Sequence, residues 1–180
     1  MCRPASFVLT RDQVFWSRKT DSHECIIEEF KLNQDGVRGP NIVRVEIVPL
    51  DGDMRRPLAE WVFAFDQDIV PEWCDKAACE RRARESLTEW AKAKLVIDAT
   101  VEVRDAEVYA YDSSTVTAYG SSTVRACGSS TVTAYDSSTV TACEDRSTVI
   151  CFCVQTVRPS SPLAVVIDRI GDKAVCYTLD

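Results

Sequence analysis

The segment between Thr100 and Cys153 repeats in units of eight residues, and this repeat constrains the fold more than any other feature of the chain. A repeat this short and regular indicates an architecture in which every unit occupies an equivalent position. It predicts the shape of about a third of the chain, but it predicts no activity. Four nearly identical units with the pattern Ala-Tyr/Cys-Asp/Gly-Ser-Ser-Thr-Val begin at Ala110, Ala118, Ala126 and Ala134.

Each unit combines a β-prone run, Ser-Thr-Val-Thr-Ala, with a turn built from Tyr or Cys, Asp or Gly, and Ser. Eight residues are too few for a helical hairpin or for a closed coil, so two units are needed for each coil. The pattern therefore predicts a flattened, two-sided β-solenoid with sixteen residues in each coil. With coils about 4.8 Å apart, about three and a half coils would form a rod about 17 Å long.

Strand alternation assigns the side chains of each unit to the two faces of its strand. The valines and alanines are predicted to point inward, because the opposite arrangement would expose an apolar ladder and bury hydroxyls. The serine before each Thr-Val pair also points inward and needs a partner in the backbone or serine of the next coil. The predicted outward binding surface consists of Thr115, Thr117, Thr131 and Thr133 on one sheet and Thr123, Arg125, Thr139 and Thr141 on the other.

The turns are predicted to form ladders along the two edges of the solenoid. Tyr111, Cys127 and Cys143 fall on one edge, and Tyr119 and Tyr135 fall on the other. Tyr119 and Tyr135 are expected to stack across neighbouring coils, which adds about 1 kcal/mol beyond burial. The three tyrosines are also candidate residues for self-association of the chain.

The sequences Ala-Tyr-Gly-Ser-Ser-Thr-Val and Thr-x-Thr resemble the repeats of bacterial ice-nucleation proteins. Those repeats form sixteen-residue coils, so the resemblance implies a β-solenoid and an ice- or water-ordering role. The resemblance covers about 45 residues of the repeat segment. The chain differs from that family in its Tyr-Asp-Ser-Ser turns and in Arg125, which interrupts one threonine pair.

The residues outside the repeat predict two further parts of the fold. Residues 1–97 are predicted to form an α+β domain, residues 98–157 the β-solenoid, and residues 158–180 a C-terminal β-hairpin. In the first domain the patterns indicate a hairpin across Thr10–Asp12 and a helix that begins near Ser22 with Ile26, Ile27 and Phe30 as its apolar stripe. Strands over 42–48 and 60–65 and a helix from Pro71 to Leu95 are also predicted.

Composition excludes several classes of partner. The chain is 46% hydrophobic and 27% charged with a formal net charge of −7, which argues against nucleic acid and anionic membranes as partners. No apolar run reaches the length that spans a bilayer, and the first residues lack the apolar core of a signal peptide. A cytoplasmic location is therefore expected, and most of the nine cysteines are expected to be reduced, small buried residues and not a disulfide framework.

Two residues are candidates for catalysis. Removal of Met1 would leave Cys2 with a free amine that could act as the base for its thiol. His23, the only histidine, lies two residues before Cys25 at a predicted helix start, where the pair could bind metal or act as base and nucleophile. The sequence contains no paired metal-ligand motif and no phosphate-binding loop, so no metal and no cofactor are predicted.

These features favour a non-enzymatic binding or assembly module. In this hypothesis a rigid Thr/Ser-faced solenoid is presented to an unidentified protein partner or to a second copy of the chain. One alternative is a small thiol enzyme that uses Cys2, with or without His23. Another alternative is a self-associating solenoid that orders ice or water.

Overall fold

The computed structural model describes residues 4–36, 39–142, 146–152, 163–169 and 175–177. The chain divides into two compact units, Met1–Lys92 and Ala93–Asp180. The first unit is an α+β structure, and the second contains a β-solenoid of about four turns between residues 95 and 168, followed by a hairpin strand. The predicted fold class is confirmed. Cys2, Cys143 and Cys153 lie outside the described residues.

The first unit contains a four-stranded antiparallel sheet. Its strands are β1 (Ser6–Leu9), β2 (Val14–Phe15), β3 (Val43–Val48) and β4 (Val62–Phe65), in the order β2-β1-β3-β4. The predicted N-terminal hairpin is confirmed, since β1 pairs with β2 in antiparallel register. Val43, Val45 and Ile47 of β3 are buried and alternate with half-buried residues, as expected for a strand with one face in the core.

Helix α1 spans His23–Glu29 and begins where the sequence predicted. Its N-cap residue, Ser22, accepts a hydrogen bond from the backbone N–H of Cys25 at 3.4 Å. Ile26 and Ile27 are buried. Phe30, the C-cap residue, is 42% exposed and not buried with them, although its ring lies 5.1 Å from that of Phe15.

Helix α2 spans Lys76–Lys94 and begins five residues later than predicted. The residue that starts it is Asp75, whose carboxylate accepts a hydrogen bond from the backbone N–H of Ala78 at 2.9 Å. Pro71 instead begins a turn that is closed by a hydrogen bond from the N–H of Cys74. The helix contributes Trp90 to the core, where its ring lies edge-on to Trp61 and its Nε1–H donates to Asp21 at 2.9 Å.

The expectation that the cysteines are reduced and buried was only partly correct. Cys74 and Cys79 form a disulfide with a Cα–Cα distance of 6.4 Å. Cys74 precedes the first residue of α2, so the two cysteines are not held five positions apart on one helix. Cys151 is buried as expected, whereas Cys25 and Cys176 are exposed.

The solenoid consists of two facing sheets. The smaller sheet contains β5 (Leu95–Ile97), β7 (Glu107–Tyr111), β9 (Thr123–Ala126) and β11 (Thr139–Ala142). The larger sheet contains β6 (Thr100–Arg104), β8 (Thr115–Tyr119), β10 (Thr131–Ala134), β12 (Thr148–Cys151), β13 (Val165–Asp168) and β14 (Val175–Tyr177). The smaller sheet has the order β11-β9-β7-β5, and the larger sheet has the order β14-β13-β12-β10-β8-β6. All pairs are parallel and in register, except that β14 runs antiparallel to β13.

The solenoid is longer than the repeat pattern alone indicated. Its first rung is β5, where the sequence predicted the end of a helix, and its last described rung is β13. The predicted terminal hairpin is confirmed by the antiparallel pairing of Val166 with Tyr177. The first strand of this hairpin, β13, also pairs in parallel with β12 and therefore belongs to the solenoid as well. Because β14 pairs with β13, the backbone hydrogen-bonding groups on that edge of β13 are not exposed.

The interior of the solenoid is filled by small aliphatic side chains, as predicted. Thr115 and Thr117 are half-buried on the outside, whereas seven valines of the solenoid are at most 4% exposed, and Val101 of the first coil is partly buried. The inward serines are fully buried, and Ser114 Oγ donates to the carbonyl of Val96 in the preceding coil at 2.8 Å. Ser130 and Ser147 have buried hydroxyls with no hydrogen-bond partner within the part of the chain that the structure describes. The seven valines are Val108, Val116, Val124, Val132, Val140, Val149 and Val166.

Neither described helix combines the length and the apolar character that a bilayer-spanning segment requires.

Candidate functional site

The outer face of the larger sheet carries three parallel columns of side chains, because each strand contributes alternate residues in register with its neighbours. The predicted partners Thr115 and Thr131 pair in the first column, and Thr117 and Thr133 pair in the second. The first column is Thr100, Thr115, Thr131, Thr148 and Val165, and the second is Glu102, Thr117, Thr133, Ile150 and Ile167. We call these two columns the threonine face.

The outer face of the smaller sheet differs from the threonine face. Thr123 lies between Glu107 and Thr139 in one column, and Arg125 lies between Tyr109 and Thr141 in the next. The guanidinium of Arg125 lies over the ring of Tyr109, 5.5 Å from its centroid. The four predicted residues of the smaller sheet alternate with its buried residues and lie on its outer side, but their columns also contain Glu107, Tyr109 and Arg125.

A buried polar cluster lies at the first coils of the smaller sheet. The Lys94 ammonium donates to Glu107 at 3.0 Å, and the Tyr109 hydroxyl donates to the other oxygen of Glu107 at 3.2 Å. Lys94 is fully buried and Tyr109 is 2% exposed. The sequence did not indicate this cluster, because Glu107 and Tyr109 occupy positions that are outward-facing throughout the repeat.

The third column on the larger sheet is a continuous ladder of aromatic rings with an arginine at each end. The predicted stack of Tyr119 on Tyr135 is confirmed, with centroids 5.2 Å apart and planes inclined by 9°. Phe152 continues the stack on Tyr135 at 5.0 Å and 8°. Arg104 covers the ring of Tyr119 at 5.1 Å, and Arg169 covers that of Phe152 at 5.7 Å.

The sequence analysis missed Phe152 and the two arginines of this aromatic ladder. The signal was present for Phe152, which follows Cys151 as each tyrosine follows its alanine. Tyr111 lies on the other sheet next to Ile97 and does not belong to the ladder.

The turns use one backbone conformation at equivalent positions. Asp or Gly adopts a left-handed conformation in each of six successive turns, which these residue types tolerate best. Asp105 accepts hydrogen bonds from the N–H and the hydroxyl of Ser121, at 2.9 and 3.0 Å, and Asp136 accepts one from the N–H of Gly120 at 2.8 Å. The six residues are Asp98, Asp105, Asp112, Gly120, Gly128 and Asp136, with φ between 49° and 66°.

His23 lies in the first unit and is fully buried. Its Nε2–H donates to the carbonyl of Val45 at 3.1 Å, and its Nδ1 lies 3.0 Å from a carboxylate oxygen of Asp66. Glu46 completes the cluster, since one ligand atom from each of the three residues lies within 4.8 Å of the others. Both ring nitrogens of His23 therefore lie within hydrogen-bonding distance of an oxygen atom.

The environment of His23 also contains Glu24 and Arg44. The pKa of Glu24 is lowered by a hydrogen bond from its own backbone N–H, with smaller contributions from the Ser22 hydroxyl and the charge of Arg44. The Arg44 guanidinium donates to Gln34 at 2.7 Å and lies 3.9 Å from Glu24.

The proposed pairing of His23 with Cys25 is not formed. His23 points into the sheet, whereas Cys25 is exposed on α1. Residues two apart on a helix do not face each other, which accounts for the difference. Cys2 lies outside the described residues, so the structure does not test its predicted role as a catalytic nucleophile.

We found no match to this chain among protein-family models, curated proteins or solved structures.

Proposed function

We propose that this chain is a non-enzymatic binding or assembly module that presents the threonine face of its solenoid to a protein partner. The observation that supports this proposal is the register of Thr115 with Thr131 and of Thr117 with Thr133. Threonine is branched at Cβ and has few rotamers, so a column of threonines on a paired strand loses little entropy on binding. Such a surface is rigid before its partner arrives.

The choice of the larger sheet rests on the contrast between the two outer faces. On the smaller sheet, Glu107 is 8% exposed and Tyr109 is 2% exposed, and Arg125 breaks the threonine column. On the larger sheet, the uncharged columns run from Thr115 and Thr117 to the last described coil. The surface favours a flat, uncharged polar partner over nucleic acid or an anionic membrane, since the chain has a net charge of −7.

Site-specific photo-crosslinking tests this assignment in cells that express the full chain. A photoreactive residue is placed at Thr117 or Thr133, and matched controls carry it at the exposed turn residues Ser121 and Ser137. We expect one discrete adduct from the two threonine positions and none from the turns. The adduct should disappear in the Thr115→Lys/Thr131→Lys variant, which remains folded by circular dichroism. Equal adducts from all four positions, or no adduct from any, would contradict the proposal.

Cysteine alkylation separates this proposal from the thiol-enzyme alternative. Cys25 and Cys176 are exposed thiols and provide the reference for ordinary reactivity. We expect iodoacetamide to label Cys2 no faster than these two residues, as measured by peptide mass spectrometry. A much faster reaction at Cys2 would favour the enzyme over the binding module.

Self-association is a second candidate, supported by exposed apolar side chains near the C-terminal end of the solenoid. Phe152 is 41% exposed, Leu163 is 57% exposed and Val175 is 45% exposed. Exposed apolar side chains are a common component of contact surfaces between chains. Sedimentation velocity over a concentration series tests this candidate, and a monomer at every concentration would eliminate it.

The resemblance to ice-nucleation repeats supports a third candidate, in which the threonine columns order water. Droplet-freezing assays of the wild type and of Thr117→Lys/Thr133→Lys test this role. Ice ordering predicts a higher freezing temperature for the wild type than for the variant. Identical freezing curves would eliminate it.

A further inference from the structure

We propose that His23, Glu46 and Asp66 form a binding site for one divalent transition-metal ion of the Zn²⁺ or Mn²⁺ type. One ring nitrogen and one oxygen from each carboxylate lie within 4.8 Å of one another, close enough to coordinate a single ion. The site lies in the first unit and is independent of the threonine face, so it goes beyond the binding module proposed above.

The fold brings the three residues together from distant parts of the chain. His23 is the first residue of α1, Glu46 lies in β3, and Asp66 follows the last residue of β4. Glu46 pairs with Ala64 across the antiparallel ladder, and the N–H of Asp66 extends this ladder to the carbonyl of Arg44. Asp66 is two residues beyond Ala64, so its side chain emerges on the same face as that of Glu46.

The orientation of the His23 ring is fixed by the backbone. Nε2–H donates to the carbonyl of Val45, which can only accept, so this nitrogen retains its proton. Nδ1 is then the nitrogen that points toward the carboxylate of Asp66 at 3.0 Å. A backbone carbonyl that holds the second nitrogen of a histidine is the usual orienting contact of a metal-bound histidine.

The ligand types and their exposure determine which ions fit. One imidazole nitrogen and two carboxylates suit ions of intermediate softness and balance a charge of +2. The ion binds an unprotonated Nδ1, so any proton shared between Nδ1 and Asp66 passes to solvent on binding. The Asp66 side chain is 49% exposed, which provides an entry path and leaves coordination positions open to water.

Mn²⁺ is used as the probe. The chain has nine cysteines, and their thiolates would bind a softer ion such as Zn²⁺ elsewhere in the chain, whereas they bind Mn²⁺ weakly. The wild-type full chain is titrated with Mn²⁺, and free Mn²⁺ is measured by electron paramagnetic resonance. We expect one equivalent to bind with a dissociation constant below about 100 μM. Asp66→Asn and Glu46→Gln should each weaken binding by more than about tenfold. The matched controls Asp68→Asn and Glu72→Gln alter exposed carboxylates outside the cluster and should bind as the wild type does.

The role of His23 is tested without replacing this buried residue. Pulsed electron paramagnetic resonance of the bound ion should show coupling to one imidazole ¹⁴N in the wild-type protein. Three results would overturn the proposal: no stoichiometric binding, binding unchanged in both Asp66→Asn and Glu46→Gln, or a bound ion that shows no ¹⁴N coupling.

Discussion

The ring of Tyr119 stacks on that of Tyr135, one coil further along the solenoid, with their centroids 5.2 Å apart and their planes inclined by 9°. The spacing of parallel strands is fixed by backbone hydrogen bonds at about 4.8 Å, so the distance between the two rings is close to the rise of one coil. Strand pairing and aromatic stacking therefore favour the same spacing between coils. Phe152 and two arginines extend the aromatic ladder over five strands of the larger sheet.

Replacing the central ring of the aromatic ladder tests its contribution to stability. Tyr135→Ala removes the contacts with both Tyr119 and Phe152 and should lower the free energy of unfolding by about 1–3 kcal/mol. Tyr135→Phe retains the stacked ring and should lie within about 0.5 kcal/mol of the wild type. Urea denaturation monitored by circular dichroism provides both values. Equal losses in the two variants would assign the effect to the hydroxyl and contradict the ladder.

The inward and outward positions of one strand can be compared by two isosteric substitutions. Val132→Thr buries a hydroxyl in an aliphatic core and should lower the free energy of unfolding by about 1–3 kcal/mol. Thr133→Val changes the neighbouring half-buried residue on the outer face and should have an effect below about 0.5 kcal/mol. Thermal unfolding of both variants measures the difference. A larger loss of stability for Thr133→Val than for Val132→Thr would contradict the assignment of Val132 to the core and of Thr133 to the outer face.

Gly128 is required by two constraints, a left-handed backbone with φ of 66° and the backbone of Asp112, whose nitrogen would lie 2.9 Å from an added Cβ. Gly128→Ala should therefore lower the free energy of unfolding by more than about 2 kcal/mol. Gly52→Ala is the matched control, because Gly52 has φ of 79° but no atom within 4 Å of an added Cβ. Its loss should be about 1 kcal/mol, the cost of the conformation alone. Similar losses for the two variants would contradict the steric argument at Gly128.

The buried pair of Lys94 with Glu107 should be sensitive to the loss of one partner. Lys94→Met removes the ammonium that donates to the buried Glu107 carboxylate and should lower the free energy of unfolding by about 3–5 kcal/mol. The double variant Lys94→Met/Glu107→Gln should recover part of this loss, because it removes both charges of the pair. Lys92→Met is the control, since Lys92 pairs with Glu89 on the surface and should contribute less than about 1 kcal/mol. An equal effect of the two lysine substitutions would show that the buried pair has no special role.

Acid should disrupt the ion pairs of Asp51 and Asp53 only below the ordinary pKa of 3.8 for an aspartate carboxyl. Hydrogen bonds from Arg56 and Arg55 respectively lower the pKa of these two carboxyls from the ordinary value of 3.8. Because both pKa values are depressed in the folded state, the contribution of these pairs is complete above 3.8 and is lost as the pH falls through the lowered values. NMR titration of the arginine Nε–H signals measures this loss. Loss of both signals at or above pH 3.8 would contradict the prediction.

The sequence was sufficient for several features that depend on neighbouring residues or on the repeat. The alternation of Val132 with Thr133 specified which side chains enter the core, because a strand has a period of two. The period of eight specified that Tyr119 and Tyr135 share a column, since equivalent positions in successive coils must lie side by side. The helix start was also encoded, but Asp75 rather than Pro71 supplies the N-cap, so the predicted boundary was displaced.

Only the tertiary structure brought together residues that no local pattern relates. Glu46 and Asp66 meet His23 because antiparallel pairing of β3 with β4 places their side chains on one face, and this register depends on the whole sheet. Glu107 and Tyr109 are buried around Lys94 although their positions in the repeat are outward-facing, because burial is set by what packs against a strand and not by its alternation. The repeat thus determined the solenoid by itself, whereas the cluster around His23 required contacts between distant segments that only a folded chain can make.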